Sequence, residues 1–190
     1  MGRCKDFEEQ EVLKKALACF WEKGYEATST RDLAQAMGIS YGSFYNTFKD
    51  KRTLYLAALD LYINTYARPV IQKLQQATSA KVAIQEMLDQ VVEEALNHSR
   101  GCLAGNAILE LARHDPEVAQ KVSHMNTSVE QALEKLLFRA QQAGEIAPTQ
   151  DLASIAHFLV NTISGIRLAA RLDNQQAKLQ GIVRVALSII

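Results

Sequence analysis

A chain of 190 residues, 48% hydrophobic and 22% charged, is long enough to bury a substantial core and too apolar to be disordered. Its 21 basic residues balance 21 acidic ones, so bulk attraction to nucleic acid or anionic lipid is excluded as an argument and only local charge can carry one. Three prolines and nine glycines in so long a chain point to an all-α protein. Cys4, Cys19 and Cys102 are odd in number and widely spaced, which argues against a disulfide framework or a zinc site and for a reducing, cytoplasmic setting. The acidic start of the chain has no apolar leader pattern, no later run is expected to span a bilayer, and no membrane partner is expected.

In chain order, residues 7–23 carry Val12, Ala16, Leu17, Phe20 and Trp21 at helical spacing and stop at Gly24. Ser29 with Asp32 three residues on has the spacing of a capping box, opening a helix that carries Leu33, Ala34 and Met37 inward. Gly38 permits a sharp turn, and Ser40 caps a second short helix. On that helix Phe44 and Phe48 share one face, leaving Tyr41, Gly42, Tyr45 and Asn46 on the others. Two helices joined by about three residues, the second with an outward face of small polar groups and aromatic hydroxyls, have the form of a DNA-reading helix-turn-helix. The charge in this region is locally basic: Arg31, Lys49, Lys51 and Arg52 face only Asp32 and Asp50.

Asp50 is the expected cap of a helix running to about Ala67, apolar on two sides and stopped by Arg68-Pro69. After a weaker segment to Ala80, helices are expected over 82–98 and 102–113, separated by Ser99-Arg100-Gly101. Asp115 and Pro116 then open a long helix to Ala143, closed by Gly144, and two further helices span 149–171 and 175–190. That makes about nine helices, with an N-terminal helix-turn-helix domain over 1–50 and a helical bundle over 51–190.

Residues 24 to 54 resemble the DNA-binding domain of the tetracycline-repressor (TetR) family of bacterial regulators. The resemblance rests on Gly24, Thr30, Leu33-Ala34, Gly38-Ile39-Ser40, Gly42, Phe44-Tyr45, Phe48 and Lys51. Thr47 stands where that family usually has His or Tyr, and Arg52-Thr53 where it usually has an acidic residue. The resemblance implies that Thr30, Ser40, Tyr45, Thr47 and Lys51 lie near phosphates, and Arg31, Tyr41, Gly42, Ser43 and Asn46 near base edges. It further implies a homodimer on an inverted-repeat operator, with a C-terminal domain that binds a small-molecule effector and dimerises through its last two helices. Leu159, Ile163, Ile166, Ile182, Val183 and Ala186 are the expected interface.

No phosphate loop, nucleophile elbow or paired-carboxylate pattern is present, and His98, His114, His124 and His157 have no metal-ligand spacing, so neither cofactor nor metal is expected. Asn106, Glu110, Asn126, His157 and Asn161 lie in or beside apolar stripes, where they either satisfy one another or line an effector cavity. Cys102 follows Arg100-Gly101 at the expected start of a helix, an environment suited to a reactive thiol. With Asn106 and Glu110 it resembles TetR-family members that sense electrophiles or oxidants, the alternative being a small buried hydrophobe. Rival readings of the chain are a cytosolic thiol enzyme using Cys102, or a helical protein-interaction module.

Overall fold

The computed structural model describes residues 9–97 and 100–190, and every regular element among them is helical. Cys4, residues 7 and 8 at the start of the expected first helix, and His98 and Ser99 lie outside the described residues. The helices are α1 (Glu9–Lys23), α2 (Thr30–Met37), α3 (Tyr41–Phe48), α4 (Lys51–Tyr62), α5 (Arg68–Gln76), α6 (Ala80–Asn97), α7 (Leu103–Glu110), α8 (Pro116–Gln142), α9 (Leu152–Leu172) and α10 (Gln176–Leu187). A π-helical turn over Ile63–Ala67 joins α4 to α5 without a break, so the segments make nine continuous helices among the described residues.

That junction differs from expectation, since Arg68-Pro69 does not stop the chain. Proline in a first helical turn loses no hydrogen bond, and the wider π turn absorbs the irregularity upstream of its ring. Helix α7 is also shorter than expected, beginning at Leu103 and ending at Glu110 rather than Arg113. Asp115 precedes a proline and so disfavours helix, and the chain unwinds ahead of it through turns closed on Ala107 and Leu111. Asp115 then caps α8, its carboxylate accepting from the backbone N–H of Glu117 (3.2 Å) and Val118 (3.3 Å).

The chain divides into two compact units, the first reaching to Thr65 and including Leu103–Lys121, the second comprising Tyr66–Cys102 and Val122–Ile190. In the first unit α1 packs against α2, α4 and α7. Its apolar stripe meets the two buried faces of α4 edge to face: Phe20 against Tyr55 and Trp21 against Tyr62, each with ring centroids 5.0 Å apart. Such aromatic pairs add about 0.5–1.5 kcal/mol beyond the area they bury. Long-range carboxylate contacts then fasten α7 and the first two turns of α8 to these helices. Arg52 makes a two-pronged pair with Asp115 (2.6 and 2.9 Å) and also reaches Glu117 (2.8 Å), while Lys121 pairs with Asp60 (2.6 Å).

Glu110 makes another of these fastenings, holding the loop between α1 and α2. One carboxylate oxygen accepts from the Glu26 N–H at 2.8 Å, and the other lies against Gly24, whose φ of +85° is in the left-handed region. Thr28, buried beneath the same loop, donates its hydroxyl to the Gly24 carbonyl. Glu110 is therefore a structural acceptor for this loop.

In the second unit α6 packs against α5, α9 and α10 around fully buried Ile84, Leu88, Leu159, Ile166 and Leu179. Glu145, released from α8 by Gly144 at φ +78°, caps the start of α6 by accepting from Ser79 Oγ (2.6 Å) and from the N–H of Ala80 and Lys81 (3.1 Å each). The Ser79 hydroxyl and these backbone donors hold its carboxyl below the usual range.

Two expectations for α9 and α10 are corrected. One apolar run does reach membrane-spanning length: α9, 21 residues with a mean hydropathy of 1.3 in its most apolar stretch. It nevertheless carries Arg167, paired with Glu94 at 3.4 Å, and one of its faces forms the core of its unit. Leu159, Ile166, Val183 and Ala186 are turned into that same core, and Ile163 and Ile182 are half-buried, so this set does not form an outward face.

A methyl group at residue 24 would collide with the Glu110 carboxylate in a backbone conformation that already disfavours it. Gly24→Ala is expected to cost roughly 1–3 kcal/mol and to lower the melting temperature by several degrees, whereas Gly144→Ala, at a similar φ but with nothing near its Cβ, should cost only the backbone part. Calorimetry of the two variants measures the difference.

Candidate nucleic-acid interface

The helix-turn-helix is built by local chemistry. Ser29 Oγ accepts from the Asp32 N–H (3.1 Å) and Asp32 accepts from the Ser29 N–H (3.0 Å), so both ends of the capping box are closed. The Ser29 hydroxyl and amide hold the Asp32 carboxyl below its ordinary range, keeping a charge at the positive end of α2. Gly38, at φ +72°, ends α2 by donating back to Ala34 and Gln35, and the Ile39 N–H reaches Ala34 at 3.1 Å. Ser40 then starts α3, its Oγ accepting from the Ser43 N–H at 3.1 Å.

Phe44 and Phe48 are buried at 0% and 5% exposure, while Tyr41 and Tyr45 are exposed at 50% and 43%, so α3 divides its faces as its spacing requires. Asn46, Arg31, Gly42 and Ser40 are exposed beside the tyrosines, and Thr30, Ser43, Thr47 and Lys51 are half-buried among them. A Cβ on Gly42 would meet only Ser40 Oγ at 3.9 Å. Internal packing thus leaves that position open, and a missing side chain there keeps the outer surface of α3 low enough for close approach by a partner.

Several expected site residues have internal bonds that the sequence did not reveal. The Thr30 and Tyr41 hydroxyls lie 2.8 Å apart, and the Tyr45 hydroxyl donates to Tyr41 at 3.4 Å. Hydrogen bonding with Thr30 and Tyr45 lowers the pKa of Tyr41, while donation to Tyr41 raises that of Tyr45. Ser40 and Ser43 share a hydrogen bond at 2.9 Å. Lys51 Nζ sits 4.2 Å above the ring of Tyr25, a residue no local motif marked, and is thereby held at the start of α4.

The local basic bias is smaller than a count of residues suggests, because Arg52 is engaged by Asp115 and Glu117. Arg31, Lys49 and Lys51 remain the cations of the helix-turn-helix surface. Lys49 was absent from the expected set, yet it is exposed in the α3–α4 turn at φ +65°, the one described non-glycine residue with positive φ. Such a backbone position in a lysine costs of order 1 kcal/mol and marks the turn as held by its surroundings.

Of the proposed sensor residues, Asn106 and Glu110 fall in the first unit and Cys102, Asn126, His157 and Asn161 in the second. Cys102 immediately precedes α7, half-buried; Asn106 and Asn126 are half-buried on α7 and α8. His157 and Asn161 are exposed on α9, where Asn161 donates to the His157 carbonyl (2.8 Å) and His157 Nε2 lies 3.7 Å from Glu130. Cys19 is a buried residue of α1, and desolvation raises its thiol pKa.

Comparison with known proteins agrees with this geometry. The profile of bacterial regulatory proteins of the tetR family matches residues 12–58, and that of the tetracyclin repressor-like C-terminal domain matches residues 82–186. The chain is 32% identical to the HTH-type transcriptional regulator YezE of Bacillus subtilis over the whole length of both. It is 30% identical to the HTH-type transcriptional repressor ComR of Escherichia coli (strain K12), covering 97% of this chain and 88% of that one. Among solved structures, a cysteine mutant of the TetR-family regulator CifR, complexed with 26-bp double-strand operator DNA, superposes with a TM-score of 0.87 at 26% identity over 98% of each chain. These relatives are transcriptional regulators and not enzymes, which sets aside the thiol-enzyme reading of Cys102. With both halves of the family pattern matched and the reading helix in place, the chain belongs to the TetR family of helix-turn-helix transcriptional regulators.

Proposed function

We propose that the protein is a homodimeric, cytoplasmic repressor that binds an inverted-repeat operator through α2 and α3 and is released by an effector. One observation carries the reading: α3 buries Phe44 and Phe48 and turns Tyr41, Gly42, Tyr45 and Asn46 outward beside Arg31, Lys49 and Lys51. That face combines acceptors and donors for base edges with cations for phosphates. In this assignment Thr30, Ser40, Tyr45, Thr47 and Lys51 lie toward the phosphates, and Arg31, Tyr41, Gly42, Ser43 and Asn46 toward the bases. Residues 1–50 would read DNA, and residues 51–190 would sense and dimerise.

The dimer face we propose lies on the outer side of α9 and α10. Phe158, Leu168 and Leu172 on α9 and Val185 on α10 are exposed large apolar residues, and Phe158, Gly165 and Leu172 recur every seven positions. A helix this apolar with one face uncovered needs a second surface, and a second copy supplies the same stripe about a two-fold axis. The open Gly165 would let the two copies of α9 approach closely.

For release, we propose that modification of Cys102 acts through α7. Cys102 directly precedes that helix, and α7 ends in Glu110, whose carboxylate holds the loop ahead of α2. Bulk or charge at Cys102 would shift α7 and loosen that hold, biasing the recognition helices away from a productive spacing.

Three measurements test these assignments. In gel-shift titrations with the upstream region of its own gene, Tyr45→Phe should weaken binding to all duplexes alike and Asn46→Ala should change preference at one base pair by roughly five- to tenfold; equal losses on every duplex would reverse the assignment. Leu168→Glu with Leu172→Glu should give monomers in sedimentation, an unchanged dimer placing the interface elsewhere. Hypochlorite should abolish operator binding by the wild type and spare Cys102→Ser, and the same response from both would leave a non-covalent effector as the releasing agent.

A further inference from the structure

Thr30 and Tyr41 belong to different helices, yet their hydroxyl oxygens lie 2.8 Å apart on the outer side of the α2–α3 turn. Tyr45, one turn along α3, adds its O–H to the Tyr41 oxygen at 3.4 Å. The Tyr41 ring is further held by Tyr45 edge to face (5.1 Å between centroids) and stacked on the buried Phe44 (6.5 Å). A half-exposed tyrosine at the first residue of a helix would ordinarily sample its rotamers, at an entropic cost when a partner fixes it. Here that cost is met before any partner arrives.

The three hydroxyls carry three protons, and the two bonds among them use two. In the free protein Tyr45 directs its proton to Tyr41 across 3.4 Å, a long contact that it can exchange for a phosphate oxygen on binding; in either case one further donor remains, at Tyr41 or at Thr30 according to which of them donates across the 2.8 Å contact. Donation from Thr30 leaves the Tyr41 O–H directed outward as the single free donor of the cluster. The downward shift of Tyr41, caused first by its bond with Thr30, accords with that direction. Purine N7, guanine O6 and thymine O4 all present acceptors in the major groove, where the first residues of a recognition helix reach base edges.

We infer that Tyr41 reads a base-edge acceptor at one step of the operator and that Thr30 is its positioning residue, acting through the Tyr41 hydroxyl and not by a phosphate contact of its own. The inference rests on the assignment of α2 and α3 as the DNA-reading pair, and it departs from the phosphate role carried over for Thr30.

The test uses full-length protein and a duplex that the wild type selects from a random library, with each base pair of the selected site then varied in turn. Affinities are measured for wild type, Thr30→Val, Tyr41→Phe, the double variant and Thr30→Ser, with melting temperatures to verify folding. Thr30→Val and Tyr41→Phe should each flatten preference at the same base pair by roughly five- to tenfold, the double variant should lose no more than either, and Thr30→Ser, which keeps the hydroxyl, should retain the preference. Losses that multiply in the double variant, a Thr30→Val effect spread evenly over all duplexes, or no effect of either change would overturn the positioning role while leaving DNA reading intact. Failure of the wild type to enrich any duplex would instead overturn the DNA-reading assignment and this inference with it.

Discussion

An eight-residue helix does not hold itself together in water, because nucleating its first turn costs more than its few hydrogen bonds return. Helix α3 is such a helix, and its existence depends on the burial of Phe44 and Phe48, four residues apart on one side. That constraint also produces its surface: with both phenylalanines inward, the opposite faces of the helix must project outward, and there Tyr41, Tyr45 and Asn46 stand. Ser40 and Gly38 set where the helix starts and how sharply the chain enters it. The recognition face is thus a consequence of core packing more than of any interaction on the face itself.

The same unit shows how an event elsewhere in the chain could bear on that face. Helix α7 and the first two turns of α8 lie far along the sequence from α1–α4, yet Glu110 holds the loop before α2, Asp115 and Glu117 hold Arg52 at the start of α4, and Lys121 holds Asp60 further along it. Each exposed pair contributes little alone. Together they span α4 from its first turn to its last and fix the helix-turn-helix to one rigid neighbour. Arg52 and Lys51 divide the work: the first turns its charge inward to carboxylates, and the second is braced over Tyr25 with its charge available outward.

Helix α9 has the opposite character, apolar on both sides. Ile155, Leu159 and Ile166 fill the core of its own unit, while Phe158, Leu168 and Leu172 do not. This is why a transfer-scale reading rates it apolar enough to cross a bilayer and why a periodicity reading can choose its core-packed face as an interface. Both readings see how apolar the helix is, and neither sees what covers which side.

What was legible in the amino-acid order was local. The Ser29–Asp32 box, the Gly38 turn, the Ser40 and Asp50 caps, the Asp115-Pro116 start and the inward set Phe44 and Phe48 all operate within about four residues, the range over which a helix hydrogen-bonds and repeats. The helical class and the helix-turn-helix follow from them. Tertiary structure decided the rest, because the contacts involved join residues 84 positions apart, as Glu110 with Glu26, or 63 apart, as Arg52 with Asp115, and no spacing rule connects such pairs. It made Glu110 a clasp on the α1–α2 loop and engaged Arg52 with Asp115 and Glu117. It also settled that Leu159, Ile166, Val183 and Ala186 belong to the core: burial is a property of what the other helices cover, and a single helix does not encode that.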